Sequence, residues 1–163
     1  MRKILRCFCL GWLLPDSAHN WKGEVVNVAD GDTINVRRGK ETVRIRLYGV
    51  DCPESRQKYG SEATEFARKL ILGKKVRVEA VDTDQYGRTV GLVYVGHKLL
   101  NRELIRAGCA WVYSSCCKKQ PLCRELTKLE ERARKKKVGL WRDKRPTPPR
   151  EWRKKHHRSQ RGD

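Results

Sequence analysis

Three short stretches bring acids and arginines together at spacings that invite a chemical reading. They are Asp30-Gly31-Asp32-Thr33, the run RIRLYGVDCPE from Arg44 to Glu54, and DQYGR from Asp84 to Arg88. Taken singly, each has an ordinary explanation. Asp-Gly is a common turn dipeptide, and Asp51-Cys52-Pro53-Glu54 ends a strand at a proline. Arg88 beside Gly87 reads as an exposed hairpin arginine. Taken together they are harder to dismiss, because converging carboxylates repel and a bound cation is the usual reason to tolerate them. An oxygen-rich set favours a hard ion such as Ca²⁺ or Mg²⁺ over Zn²⁺. The twelve-residue ligand ladder of an EF-hand is absent from DGDT.

Convergence depends on the elements that carry these stretches. Apolar and polar residues alternate from Trp21 to Ala29, at Ile34 and Val36, and again at Val43, Ile45 and Leu47. Such alternation predicts half-buried strands, and the break at Gly39-Lys40 predicts a hairpin. A turn there sets Asp32 opposite about Leu47, because a hairpin keeps a fixed register. Asp51 then lies just beyond the same end, while Arg44 and Arg46 share one face. Lys75–Val81 and Thr89–Val95 add two strands, giving the five expected of a small Greek-key barrel. Three helices are expected around it. One carries Ala63, Phe66, Ala67, Leu70 and Ile71, a second Leu100, Leu104 and Ile105, and a third Leu122, Leu126, Leu129 and Ala133. Their apolar stripes belong to the core.

The bulk composition narrows the partners. A formal net charge of +19 on 163 residues disfavours compaction by self-repulsion unless a polyanion is near, which points to nucleic acid. The plainer reading is a solvated basic surface. Met1-Arg2-Lys3, the mostly apolar Ile4–Leu14 and Ser17-Ala18 read as an export signal over residues 1–18, too short to span a bilayer. Residues 19–141 form the expected domain, and 142–163 an extended, Pro-containing basic tail with little structure. Cys52, Cys109, Cys116, Cys117 and Cys123 are an odd set, with one local disulfide expected between Cys123 and Cys116 or Cys117. No ligand-spaced histidines accompany them, so a zinc site is a poor fit.

Two carboxylates, a third acid and two arginines supply what phosphodiester hydrolysis needs. A metal neutralises phosphate and orients water, an acid activates the water, and guanidinium groups stabilise the pentacovalent charge. DGDT, RIRLYGVDCPE and DQYGR, in this order and spacing, resemble the thermonuclease (staphylococcal nuclease-like) family over Trp21 to Trp141, and the tail's PPREWRK resembles exported bacterial members. The resemblance implies an α+β fold, a five-stranded OB-fold barrel with three helices. It also implies Ca²⁺-dependent cleavage of DNA and RNA, single strands favoured, leaving 3′-phosphates. On that basis Asp32 and Asp51 would bind Ca²⁺ through carboxylates and Cys52 through its carbonyl. Glu54 would act as general base or orient the attacking water, and Arg46 and Arg88 would grip the phosphate. Asp30 and Thr33 would support the acids from behind; Tyr86 and Tyr113 would pack on sugar or base, or serve only as barrel-rim aromatics. Cys52 stands where the best-known family member has Thr, which places an oxidisable thiol beside the site.

The expected protein is thus a secreted or periplasmic nuclease, monomeric, with no membrane association once the signal is removed. Its rival is a non-catalytic OB-fold module that only binds nucleic acid. A retired site would be expected to lose acids or arginines, yet Asp32, Arg46, Asp51, Glu54 and Arg88 are all present.

Overall fold

A computed structural model describes residues 20–159, so the expected export signal at 1–18 lies outside the described residues. Five long strands form the barrel: β1 (Asn20–Asp30), β2 (Thr33–Arg38), β3 (Glu41–Leu47), β5 (Lys75–Thr83) and β6 (Thr89–Val95). Two-residue strands β4 (Val50–Asp51), β7 (Lys98–Leu99) and β8 (Trp111–Val112) are added at its margins. Helices α1 (Gly60–Ile71), α2 (Leu100–Arg106) and α3 (Leu122–Lys135) fall where apolar spacing predicts them.

The sheet order β3-β2-β1-β5-β6 is closed by a parallel pairing of β3 with β6, which removes both open edges. Closure requires β1 to bend, and two register shifts in its pairing with β2 supply the bend. At the first, Val25 donates its N–H to Lys74 O (3.0 Å) and accepts that of Gly73 (2.9 Å), tying the end of α1 to the barrel. The Gly39-Lys40 hairpin forms as expected. Gly39 sits at φ +60°, which suits a residue without Cβ, and Arg38 pairs with Glu41 across it.

Alternation fills the interior. Ile34, Val36, Ile45 and Leu47 are fully or almost fully buried, and Ile71, Leu100, Leu104, Ile105 and Leu126 close the core from the helices. One buried polar side chain, Asn101, does a separate job. Its amide donates to Tyr48 O (2.8 Å) and Gly91 O (3.3 Å), while its oxygen accepts the Val93 N–H (3.2 Å). The Tyr48 hydroxyl in turn accepts the N–H groups of Lys118 (2.7 Å) and Lys119 (2.8 Å). The turn joining β3 to β4, and with it the Asp51 end of the chain, is therefore fixed from two sides. The local disulfide is Cys117–Cys123, in the segment that this tyrosine holds.

Beyond α3 the structure departs from the expected extended tail. Gly139–Arg142 forms a 3-10 turn, and Pro149–Ser159 forms a fourth helix, α4. Trp141 packs edge-on against Trp111 with ring centroids 5.2 Å apart, beside Leu140, Ala133 and Tyr59. This second apolar cluster turns the chain back toward the barrel instead of releasing it to solvent. Composition misled here because Pro148-Pro149 reads equally as a disordered run and as a helix start, proline being well suited to the first helical position.

Removing the Asn101 amide leaves a donor and two carbonyls buried without it. Asn101→Ala is expected to lower unfolding free energy by about 3 kcal/mol, measured by urea titration. A loss below about 1 kcal/mol would show that the β3–β4 turn is held by other means.

Candidate active site

The site is built at the end of the barrel where β1 turns into β2 and β3 runs into β4. Thr33 pairs with Arg46, and Leu47 N donates to Asp32 O at 2.8 Å, so Asp32 does lie opposite Leu47. Between the inward-facing Ile45 and Leu47, the Arg46 side chain points to the other face and is only 14% exposed. Its guanidinium reaches Asp32 Oδ2 at 2.9 Å and Asp51 Oδ1 at 3.1 Å. It also donates to the carbonyls of Val50 (2.9 Å) and Leu47 (3.3 Å). One arginine thus holds two acids and the backbone between them.

Neighbours fix the acids further. Asp32 Oδ2 accepts the Cys52 N–H at 2.6 Å, and its Oδ1 accepts the Thr33 hydroxyl at 3.2 Å. Asp30 Oδ1 accepts the Asp32 N–H at 3.0 Å and closes the turn. Glu54 lies on the loop before α1, where its carbonyl accepts the Gln57 N–H at 2.8 Å. Gly60 is what lets α1 begin so close: a Cβ there would sit 1.9 Å from Glu54 O.

Burial dominates the electrostatics of this cluster. Asp32 is pushed up to about 8, first by desolvation, against the pull of Arg46 and with the push of Asp30 and Asp51. Arg46 is also desolvated, which alone would lower it, yet Asp32 and Asp51 together hold it above its usual value. The Cys52 thiol, 3% exposed, is pushed well up by burial and then by Asp32. It is a protonated, enclosed group, so the oxidation expected beside the site has no exposed thiolate to start from.

The second guanidinium among the acids is Arg153, on α4, and not Arg88. Arg153 Nη1 lies 2.6 Å from Glu54 Oε1 and 3.3 Å from Asp51 Oδ1, and Nη2 lies 3.2 Å from Asp51 Oδ2. Arg88 pairs within its own hairpin, its Nε 2.6 Å from Asp84 Oδ2. Tyr86 is 72% exposed with the Arg88 guanidinium 5.4 Å from its ring centroid. Tyr113 is half-buried and donates its N–H to Gly49 O at 2.9 Å, next to the β4–β8 pair. The structure therefore gathers Asp30, Asp32, Thr33, Arg46, Asp51, Cys52 and Glu54, and leaves Arg88, Tyr86 and Tyr113 outside the contacts of the acids. Nothing in the spacing pointed to Arg153, whose partners are 102 and 99 residues away. The available signal was Pro149 opening a helix with Arg153 one turn later.

Residues 44–143 match the family model described as staphylococcal nuclease homologue. The chain belongs to the staphylococcal nuclease family. It is 41% identical over 156 residues to an uncharacterized endonuclease of Escherichia coli O157:H7, covering 94% of this chain and 98% of that one. To the micrococcal nuclease of Shigella flexneri it is 35% identical over 144 residues, 83% of this chain and 82% of the relative. Protein ParB of Escherichia coli is 38% identical over 142 residues, 82% and 79% of the two chains. The closed five-stranded barrel with its helices is the OB-fold of this nuclease family, and hydrolysis of nucleic acid is the activity class it brings.

Arg46 is the counter-charge for two buried acids, so its loss strands them. With divalent ions removed, Arg46→Ala should destabilise the protein by about 3 kcal/mol. The double variant R46A/D32N, which leaves one acid fewer unpaired, should regain part of that in the same denaturant titration. A double variant as unstable as R46A would contradict the electrostatic origin of the loss.

Proposed function

We propose that this protein is a Ca²⁺-dependent nuclease that hydrolyses DNA and RNA with little sequence preference, favours single strands and leaves 3′-phosphates. The observation that carries the reading is the convergence of Asp32, Asp51 and Glu54 with guanidinium groups at one barrel end. The net charge of +19 supports a polyanionic substrate, and a barrel groove suits an extended single strand.

The donors suit a hard cation. Asp32 and Asp51 are carboxylates joined by Arg46, and the oxygen chemistry of this pair fits Ca²⁺ better than Zn²⁺. Among the described residues no three His, Cys, Asp or Glu side chains are grouped as a metal cage. The protein ligands of this reading are Asp32, Asp51 and the Cys52 carbonyl. A proton held on Asp32 by desolvation is one that a cation would replace. Such a cation supplies charge neutralisation at the phosphate.

The chain's own residues do the rest. Glu54, with a side chain 34% exposed, takes a proton from the attacking water or orients it. Arg46 donates to phosphate oxygens and offsets the charge that accumulates on them. Arg88 is the second phosphate guanidinium of this reading, exchanging Asp84 for substrate and acting as a charge, not as an acid. Asp30 and Thr33 keep Asp32 oriented. Tyr86, exposed beside Arg88, offers a surface for a base or sugar, with Tyr113 a second aromatic. The Cys117–Cys123 disulfide suits an oxidising compartment, in keeping with a secreted or periplasmic, monomeric enzyme.

Purified protein should cut single-stranded DNA with Ca²⁺ present and stop when EGTA is added. Glu54→Gln should slow cleavage by about a hundredfold or more while DNA binding persists in gel shifts. Folded wild-type protein that cleaves nothing under any divalent ion would overturn the reading.

A further inference from the structure

Arg153 reaches the acids by tertiary docking alone, and three contacts guide it there. Lys58 pairs with Asp143 at 2.8 Å, Gln57 Nε2 donates to Thr147 O at 2.5 Å, and Pro149 is buried at the start of α4. Gln57 is itself buried, and its Oε1 accepts the Glu54 N–H at 3.2 Å. One glutamine therefore joins the loop that carries Glu54 to the segment that carries Arg153.

The fork of Arg153 closes the arrangement. Nη1 bridges Glu54 and Asp51, and Nη2 takes the second oxygen of Asp51. Among the described residues Arg153 is the one charged donor on the Glu54 carboxylate. A glutamate on a loop has three side-chain torsions to fix, and a planar guanidinium held by a second acid fixes them where an ammonium would not. The contact lies at the acid that activates water in the reading above, so the C-terminal helix is part of the active site.

We propose that Arg153 is a positioning residue of the nuclease reaction. It aims Glu54 by bridging it to Asp51, and its charge competes with a divalent cation for Asp51. This rests on the reading in which Glu54 activates water and Asp51 binds the cation. Two consequences run in opposite directions. Loss of Arg153 slows turnover because Glu54 is no longer aimed, and tightens Ca²⁺ binding because a competing positive charge leaves Asp51.

The test compares wild type with Arg153→Ala and Arg153→Lys on single-stranded DNA. Circular dichroism and thermal unfolding check that each variant is folded. For R153A, kcat is expected to fall about tenfold to a hundredfold with KM changed less than about threefold. Calorimetric titration without substrate should show R153A binding Ca²⁺ severalfold more tightly than wild type. R153K, which keeps the charge and loses the fork, should remain below wild type in kcat. Wild-type protein that fails to cleave would end the nuclease reading itself. An active wild type with R153A equally active or faster would overturn this inference alone, the faster case marking Arg153 as a block. A raised KM with kcat retained, a Ca²⁺ affinity unchanged or weakened, or full activity in R153K would overturn it as well.

Discussion

The guanidinium of Arg46 is the contact around which this end of the barrel is organised. Asp32 comes from the turn between β1 and β2 and Asp51 from β4, both are buried, and neither is stable there as a charge without a partner. Arg46 answers both, and the Nη1 that reaches Asp32 also reaches the carbonyls of Leu47 and Val50. Coulomb attraction alone would leave the two acids free to slide. The added backbone bonds fix where the arginine sits, and so fix the distance between the acids. A lysine at this position could carry the charge but could not bind four oxygens in one plane.

That arrangement requires β3 to end at a set place. Strand alternation puts Arg46 on the opposite face from Ile45 and Leu47, both fully or nearly fully buried, so a one-residue slip would bury the arginine in the core. Parallel pairing with β6 and the Asn101 bonds to Tyr48 and Gly91 hold the strand against such a slip. The hydrophobic core thus sets the register, and the register sets the chemistry. The buried amide at Asn101 is the polar counterpart of the same constraint, since moving Tyr48 would strand its donors.

How far the site was legible depended on whether each contact was local. Gly39-Lys40 fixed a two-residue hairpin, and from it Asp32 could be placed opposite Leu47 by counting. The five strands and first three helices followed from periodicity because their apolar faces are regular. Arg88 was legible as a hairpin residue, and in the structure its partner Asp84 is four residues away. The tail was not legible. Its path depends on Trp141 meeting Trp111, and on Gln57 meeting Thr147, contacts between segments 30 and 90 residues apart. No window of sequence contains both sides of such a contact. Composition then argued for disorder, although Pro149, Glu151 in the first turn and Trp152 are compatible with a helix.

Charge balance links the two arginines to the acids they serve. Burial raises Asp32 above the usual carboxylate range, while Asp51 pairs with both arginines and Glu54 with Arg153. Pairing of this kind offsets the cost of taking these charges out of water. With Arg46 as the sole guanidinium, the Glu54 carboxylate would have no charged donor among the described residues. Bringing a basic C-terminal helix back to the barrel end supplies that donor inside a chain whose remaining surface is strongly positive.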